Sequence, residues 1–360
     1  MADRATLMEI LDLARWAPSG DNTQPWRFEI VDDRQIAVHG FDTRDHVIYD
    51  LDGRASQIAH GALLETLRIA ATGHGLAARW SLRPGSSDRA PIYDVVLEPA
   101  ADIAPDPLIP SIRKRAVQRR MMSARPLSIE ERRELVEAVG PDHSVLMFES
   151  LSDRFKVARL LWNNARLRLT CPEAYQVHRD VIEWDARFSV DRIPDQAVGV
   201  DAMTAKLMRW VMQSWERVDF FNRYLFGTVA PRIQLDFLPA MACAAHLLLL
   251  PRKPLRSIED HVHTGEAMQR LWLTVDALGL NLQPEMTPVI FRWYVQAGRS
   301  ISATKGIDEG AVRLAASFDA LAGADATAPF AFFCRVGAGA GASARSLRKE
   351  LRDLMLSARP

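Results

Sequence analysis

Apolar residues at helical spacing and short apolar runs follow one another along the first part of the chain. Helical spacing predicts one helix that reaches Pro18 and another over residues 54–73. Short apolar or alternating runs predict strands at residues 26–31, 35–39, 76–82 and 92–97. The Pro-rich stretch 98–110 has no periodicity and several helix breakers, which is typical of a linker. We therefore predict a first unit over residues 1–110.

The remaining residues, 111–360, show a looser succession of helical and strand patterns, and we predict that they form a second unit. Capping-box patterns at Ser128 and Ser257 open two helices, and the second of these ends at Gly279. Further patterns predict strands at 144–149 and 330–336 and helices at 152–170 and 203–225. An aromatic-rich helical insertion is expected at about 180–235. We find no residue-level repeat between the two units.

The composition is that of an ordinary globular chain and argues against several classes of partner. Of 360 residues, 48% are apolar and 25% charged, and 45 basic side chains balance 45 acidic ones. No net field would attract a nucleic acid or a membrane surface, although local basic clusters can still bind an anion. Cys171, Cys243 and Cys334 form no CxxC pair, so neither a disulfide framework nor a thiolate metal site is expected.

The N-terminal pattern and the longest apolar run indicate the compartment. The N-terminus carries charges within its apolar pattern, which argues against a signal or transit peptide. The longest apolar run, residues 239–251, contains His246 and is too short to span a bilayer. We expect a cytoplasmic protein with a small-molecule substrate and with neither nucleic-acid nor membrane partners.

The stretch APSGDNTQPW, residues 17–26, places many polar turn formers between a helix and a strand. Its backbone N–H groups and small side chains could line one concave turn and bind the polar edge of a ligand. The same residues are also typical of a plain helix end in which Gly20 and Asn22 take left-handed conformations. The pattern alone leaves both interpretations open.

A basic run, residues 113–125, precedes the helix at Ser128. Arg115 and Arg119 are four residues apart, so on one helical face their guanidiniums could converge on a phosphate or an electron-rich ring edge. A solvated, basic helix start is the alternative. Arg345 and Arg348 form a second basic pair after a Gly-rich turn, where an exposed C-terminal helix is the alternative.

The histidine pattern of a further helix is not expected to bind a metal. His261 and His263 alternate along the helix and therefore point in different directions, and Glu266 does not complete a ligand set. We predict no metal site.

The stretch APSGDNTQPW closely resembles the flavin-contacting segment of the nitroreductase superfamily, Pro-Ser-x-x-Asn-x-Gln-Pro-Trp. The sequence RAVQR resembles that family's basic opening, with Val117 in the place of the usual Ser, and LGLNLQPEMTP resembles its helix and following loop. The resemblance implies an FMN cofactor. It implies cofactor contacts at Pro18, Ser19, Gly20, Asn22, Arg115, Val117, Arg119, Gln283, Pro284, Arg345 and Arg348. It also implies that the backbone N–H of Glu285 or Met286 approaches flavin N5, which would make these two the catalytic positions.

The resemblance further implies an α+β, nitroreductase-like fold in which two related units are fused as a pseudo-dimer. Mixed, mainly antiparallel sheets would be flanked by helices. The first unit carries the Pro-Ser-x-x-Asn segment, and the second carries the basic opening and the Pro-Glu loop. Because the second unit has no matching segment of its own, we predict one FMN per chain, at the seam between the units.

The activity implied is that of an FMN-dependent oxidoreductase, in which NAD(P)H provides a hydride that passes through flavin N5 to an unidentified acceptor. One alternative is a flavin-sequestering protein in which the segment 180–230 covers the FMN and turnover is small. Another is a dehydrogenase of a peptide or biosynthetic intermediate. We also predict that the aromatic segment 184–226 covers the flavin, with core packing or a subunit interface as the alternative role. The sequence leaves open the acceptor, the choice between NADH and NADPH, and whether the pseudo-dimer is monomeric or a homo-oligomer.

Overall fold

The structure, a computed structural model, describes residues 3–356 and contains two four-stranded antiparallel sheets flanked by helices. The strands are β1 (Trp26–Ile30), β2 (Gln35–Gly40), β3 (Leu76–Leu82), β4 (Ile92–Pro99), β5 (His143–Phe148), β6 (Ile182–Glu183), β7 (Phe188–Ser189), β8 (Ile193–Pro194), β9 (Ala245–Pro251), β10 (Asn281–Pro284), β11 (Phe332–Gly337) and β12 (Arg345–Ser346). The helices are α1 (Arg4–Ala14), α2 (Arg54–Thr72), α3 (Ile109–Lys114), α4 (Ile129–Ala138), α5 (Leu151–Leu169), α6 (Pro172–Val181), α7 (Ala202–Val211), α8 (Trp215–Tyr224), α9 (Val229–Pro231), α10 (Leu238–Met241), α11 (Ile258–Ala277), α12 (Thr287–Gln296), α13 (Ile307–Ala322) and α14 (Leu351–Leu354).

The two large sheets have the same topology. In the first half of the chain, α1 to β4, the strand order is β1-β2-β4-β3, and α2 connects the second strand to β3. In the second half, from α4 onward, the order is β5-β9-β11-β10, and α11 connects β9 to β10. The elements of one half therefore correspond in order to those of the other half. The largest addition to the second half is the helical segment between β5 and β9.

Helices α2 and α11 cross where both have a glycine. A Cβ on Gly61 would lie 1.9 Å from the carbonyl oxygen of Val262, and a Cβ on Gly265 would lie 2.0 Å from that of Ile58. Only glycine allows two helix backbones to approach this closely. Gly61 and Gly265 hold equivalent positions in their helices, so the crossing lies on the pseudo-symmetry axis of the two halves.

Each sheet packs its apolar face mainly on helices of its own half, and α2 and α11 each contribute to both cores. The first core joins α1, α2 and the sheet through fully buried side chains such as Leu11, Trp26, Phe28 and Leu63. The second core is larger because the inserted helices and α11 to α13 cover the second sheet. Within residues 3–356, every helix is either too short or too polar to traverse a bilayer.

Most elements predicted from the sequence are present, and the α+β class with mainly antiparallel sheets is confirmed. The capping boxes at Ser128 and Ser257 both form. The single helix predicted over 203–225 is wrong, because the chain breaks into α7 and α8 before Trp215. Residue 110, the predicted end of the first unit, lies inside α3.

Candidate functional site

A cavity of about 420 Å³ lies between the two halves of the chain. Its walls come from the turn after α1, from the facing helices α2 and α11, from the chain before α4, from the loop after β10 and from the segment around β12. All thirteen residues predicted for the site line it: Pro18, Ser19, Gly20, Asn22, Arg115, Val117, Arg119, Gln283, Pro284, Glu285, Met286, Arg345 and Arg348. Positions more than 300 residues apart in sequence are thus brought into one cavity.

The turn after α1 forms a rigid concave wall. Asp21, Asn22 and Gln24 all have positive φ, at 50°, 63° and 51°, an uncommon conformation for residues other than glycine. The hydroxyl of Ser19 accepts a hydrogen bond from the backbone N–H of Gln24 at 2.9 Å, and the Gln24 side chain accepts one from the N–H of Lys349 at 2.9 Å. Such strain is typical of functional sites, where surrounding contacts hold it in place.

Three arginines meet beside this turn without a carboxylate partner. Arg115 and Arg348 donate to the backbone carbonyls of Trp16 and Ala17, at 2.8 and 2.9 Å, and Arg345 donates to that of Arg115 at 3.0 Å. In the described part of the chain, none of the three forms an ion pair. Burial and the charge of Arg345 lower the pKa of Arg115 to about 9, and burial also lowers that of Arg348. This cluster is a ready site for an anion.

The helix predicted through Arg115 and Arg119 is wrong, because α3 ends at Lys114 and the chain continues in extended form. Val117 pairs with Leu282 beside β10, and the N–H of Gln118 donates to the Leu282 carbonyl at 3.0 Å. Extended chain repeats every two residues, so positions 115, 117 and 119 still share one side. Arg115 and Arg119 therefore both line the cavity, and the convergence of their guanidiniums on one group stays a prediction.

The loop after β10 corrects one of the two candidate backbone donors. The N–H of Glu285 donates to the carbonyl of Phe333 at 2.7 Å and therefore continues the sheet. It is not free for a ligand, and the role predicted for that group is wrong. The N–H of Met286 has no backbone acceptor among residues 3–356, which leaves Met286 as the candidate donor.

The carboxylate of Glu285 belongs to a buried ionic network that the sequence analysis missed. Its two oxygens accept from His246 Nδ1 at 2.7 Å and from Arg335 Nη1 at 3.0 Å. Burial disfavours the imidazolium, but Glu285 outweighs it and raises the pKa of His246 to about 10. Burial likewise opposes ionisation of Glu285, yet His246 and Arg335 hold the pKa of its carboxyl below the ordinary value. A single charged residue inside each apolar strand, β9 and β11, was the available signal.

The inserted helices give the cavity a second polar wall. Asn164 and Arg168 lie one turn apart on α5, and Tyr49 is hydrogen-bonded to His178 at 3.0 Å. Arg168 Nη2 is 3.4 Å from Asp236 Oδ2. Burial raises the pKa of Asp236 to about 6, and burial with the nearby Arg168 lowers that of His178 to about 3. This wall therefore contains a cation, a neutral imidazole and a carboxyl that is easily protonated.

The covering segment of the cavity, residues 181–198, is aliphatic. Val181, Ile182, Ile193 and Val198 line the cavity. The segment is fixed by hydrogen bonds from the Leu347 N–H to the Ser189 carbonyl at 2.6 Å and from Gln24 Nε2 to the Val190 carbonyl at 2.9 Å.

The expected aromatic cover, segment 184–226, is wrong as far as its aromatic side chains are concerned. None of the following lines the cavity: Trp184, Phe188, Trp210, Trp215, Phe220, Phe221, Tyr224 and Phe226. Several pack on one another in α7 and α8, and Phe226 is 80% exposed. The aromatic residues of α7 and α8 therefore contact one another and not the cavity.

The equivalent seam on the other side of α2 and α11 is filled by side chains. Gly61 and Gly75 correspond to Gly265 and Gly279, each 204 positions later. The same spacing places His263 where the cavity has Ala59, and Trp80 where it has Pro284.

Two bulky residues thus occupy the space that the cavity leaves open. Trp80 Nε1 donates to Glu266 Oε1 at 2.7 Å, His263 Nδ1 contacts Glu266 Oε2 at 2.7 Å, and the Trp80 and His263 rings are 5.1 Å apart. The turn between α4 and β5, which corresponds to the turn after α1, is only residues 139–142.

A family model described as "Nitroreductase family" matches residues 2–52, which include α1 and the turn after it. Among curated proteins, "Putative NAD(P)H nitroreductase acg" of Mycobacterium tuberculosis is 31% identical over 102 residues, 28% of this chain. That alignment spans 30% of the relative's length.

Solved structures of two other proteins resemble the chain over most of their own length. One is the FMN-dependent nitroreductase NfnB of Mycobacterium smegmatis in complex with NADPH, with a TM-score of 0.39, 13% identity and coverage of 69% of this chain and 96% of that one. The other is a nitroreductase of Desulfitobacterium hafniense with bound FMN, with a TM-score of 0.36, 12% identity and coverage of 71% and 99%. Residues 2–52 are thus similar to the nitroreductase family.

Proposed function

We propose that the protein is an FMN-dependent oxidoreductase of nitroreductase type that reduces a small molecule with a hydride from NAD(P)H. The observation that supports this most strongly is the composition of the cavity. It combines the turn after α1 from one half with the basic segment and the Gln283–Met286 loop from the other. In this proposal the chain is a fused, pseudo-dimeric member of the superfamily, with units over about 1–110 and 111–360.

The residues present fit FMN. Arg115, Arg345 and Arg348 form an uncompensated cationic cluster that suits a terminal phosphate, whereas no glycine fingerprint supports an adenine dinucleotide. Buried polar atoms without a partner among residues 3–356 occur in five side chains that line the cavity: Arg115 Nε, Arg335 Nε, Arg345 Nε, Gln283 Oε1 and Asn164 Oδ1. Buried polar groups normally have partners, so this concentration is what a ligand site would show. The cavity volume is within the range of small-molecule sites.

When bound, FMN would supply hydride acceptance and donation at N5. The chain's own groups would then orient it and tune its charge. The turn after α1 and the three arginines would hold the ribityl phosphate end, and Arg119 would place positive charge at the ring edge where reduction increases negative charge. The Met286 N–H would be a fixed donor near the reacting atom, and the aliphatic cover would exclude water. We assign the polar wall around Arg168 to the second substrate.

A second candidate function is a flavin carrier with little turnover. The feature that favours it is the covering segment. Side-chain hydrogen bonds from Asn22 and Gln24 fix this segment to the turn after α1, and backbone hydrogen bonds fix it to the segment around β12. If this segment stays closed, a nicotinamide cannot stack on the ring. A dehydrogenase of a peptide or biosynthetic intermediate has no comparable structural feature in its favour.

The test is an absorption spectrum of the purified protein, followed by anaerobic titration with NADPH and mass spectrometry of the released cofactor. We expect a bound flavin that is FMN and that bleaches on titration. A flavin that resists NADPH and NADH but is reduced by dithionite would favour the carrier, and FAD alone would contradict the proposal. Arg348→Ala should lose FMN, whereas Arg352→Ala, on the exposed face of α14, should retain it.

A further inference from the structure

The buried network beneath the cavity has an unusual hydrogen-bond arrangement. His246 on β9 lies directly opposite Arg335 on β11 in the sheet register, and Glu285 follows the neighbouring strand β10. His246 is 0% exposed, Arg335 2% and Glu285 7%. In the register Arg335 lies opposite Gln283, and Glu285 is two positions further along, so the three side chains form a diagonal row on one face of the second sheet. Glu285 and Arg335 line the cavity.

The partners of these groups fix their charges. One ring nitrogen of His246 faces the Glu285 carboxylate at 2.7 Å, and the other faces the Ala240 carbonyl oxygen at 3.0 Å, with Cys243 Sγ at 3.5 Å. Two acceptor oxygens require two N–H donors, so the geometry favours the imidazolium. Arg335 is a second cation, and the Glu285 carboxylate is the one anion between them. The network therefore has a net positive charge.

Arg335 also connects the two chain segments that border the cavity from the second half. Its Nη1 donates to the Glu285 carboxylate at 3.0 Å, next to Met286. Its Nη2 donates to the backbone carbonyl of Arg119 at 2.8 Å. One guanidinium thus holds the basic segment and the loop after β10 at a fixed separation, and Arg335 itself lines the cavity.

We propose that His246, Glu285 and Arg335 are positioning residues that hold Arg119 and the Met286 N–H in place and keep net positive charge against a ligand ring that becomes anionic on reduction. This inference rests on the proposed function. The neighbours in the same strands are apolar, including Leu247, Leu248 and Phe333. Because buried ionic groups contribute little net stability relative to apolar packing, a row of three in an apolar sheet points to a role other than stability.

The experiment compares the affinity of the protein for oxidised and reduced FMN in Arg335→Gln and His246→Gln variants. Loss of one cation should weaken the binding of reduced FMN about ten-fold more than the binding of oxidised FMN. This difference lowers the two-electron midpoint potential of the bound flavin by about 30 mV. Arg335→Lys keeps the charge and should keep most of the potential. The matched control is Arg154→Gln, because Arg154 donates to the Met241 and Cys243 carbonyls and does not line the cavity, and its Nε has no partner within residues 3–356.

The outcomes separate this inference from the proposed function. If the unmodified protein binds no FMN, the proposed function is wrong, and so is the positioning role of the network for bound FMN. If it binds FMN and the variants lower the melting temperature while both redox states lose affinity equally, the network is structural and the inference is overturned. A selective loss of reduced FMN in either variant supports it, so one variant that fails to fold does not prevent the test.

Discussion

The two seams between the halves have the same framework and opposite contents. On one side of the α2–α11 crossing, small residues such as Ala59 and Pro284 leave a cavity that is bordered by arginines without a carboxylate partner in the described chain. On the other side, Trp80, His263 and Glu266 fill the equivalent space and satisfy one another. The comparison teaches that the pseudo-symmetry of the backbone provides two places where a site can form. The size of the side chains and the presence of arginines without a carboxylate partner decide which of the two places becomes a binding site.

The helix crossing supports both seams, so its disruption should have the largest effect. Gly61→Ala places a methyl group within 1.9 Å of a backbone oxygen that no side-chain rotation can move. We expect a loss of about 3 kcal/mol in the free energy of unfolding, at the upper end of ordinary overpacking costs. Urea denaturation measures it. Gly341→Ala, where an added Cβ meets nothing within 4 Å, should be close to neutral. Equal stability of the two variants would contradict the close crossing.

Removing a guanidinium that borders the cavity should weaken FMN binding without affecting the equivalent seam that Trp80 and His263 fill. Arg115→Ala should reduce affinity by about 1.5–3 kcal/mol, the usual contribution of a hydrogen bond to a charged group, or about ten- to 150-fold. Fluorescence titration with FMN gives the dissociation constant. Arg68→Ala, at the position of α2 that corresponds to Trp272, is the control on the filled seam and should leave FMN binding unchanged.

Emptying the filled seam should not create a second site. Trp80→Ala removes the ring that packs on His263 and leaves Glu266 without its indole donor, so we expect a destabilisation of about 2 kcal/mol. No turn of the type at residues 18–22 and no unpaired arginine cluster borders that space in the described chain. The FMN content should therefore stay unchanged. A rise toward two FMN per chain would show that side-chain size alone decides where FMN binds.

Stability should fall with rising pH across a window set by His246. Burial opposes its charge, but the Glu285 carboxylate and Cys243 raise its pKa from 6.5 to about 10 in the folded chain. Between these values the folded chain keeps a proton that the unfolded chain has lost, so the free energy of unfolding decreases as pH rises, by at most about 1.4 kcal/mol per unit. Denaturation at several pH values measures this slope. His246→Gln should flatten it, and an unchanged slope would mean that His246 is neutral.

Trimming the aromatic hairpin should have the smallest effect. Trp215 packs against Tyr175, 5.5 Å between ring centres, and does not reach the cavity. Trp215→Ala should leave the rate of FMN reduction within about two-fold of the unmodified protein, since barrier changes below about 0.4 kcal/mol are that small. Stopped-flow reduction with NADPH measures it, and a large acceleration would restore the aromatic hairpin as the cover.

The sequence predicted the residues of the site better than their backbone. The polar turn formers at 18–22 and the basic residues such as Arg115 are recognisable in the sequence, because residues of these types in that order have few purely structural roles. The extended course of 115–119 was not predictable, because a spacing of four fits both a helix and an extended strand. The use of the Glu285 N–H depends on Phe333, a partner 48 positions later, and such pairings leave no local pattern.

The filled seam and the buried network could not be predicted from the sequence for a related reason. Trp80 and His263 look like ordinary surface and helix residues until the topology shows which positions they match. His246 and Arg335 interrupt apolar strands, and only the register between β9 and β11 shows that they share one carboxylate. Long-range pairing therefore carries the part of the site that single-sequence patterns do not.

The central claim, that one FMN binds at the seam built from both halves, is tested most directly by calorimetric titration of the FMN-free protein with FMN. We expect a stoichiometry of one per chain for the unmodified protein. Asn22→Ala and Arg115→Ala, in opposite halves, should each weaken that single binding event. A stoichiometry of two, or full affinity in both variants, would contradict the account.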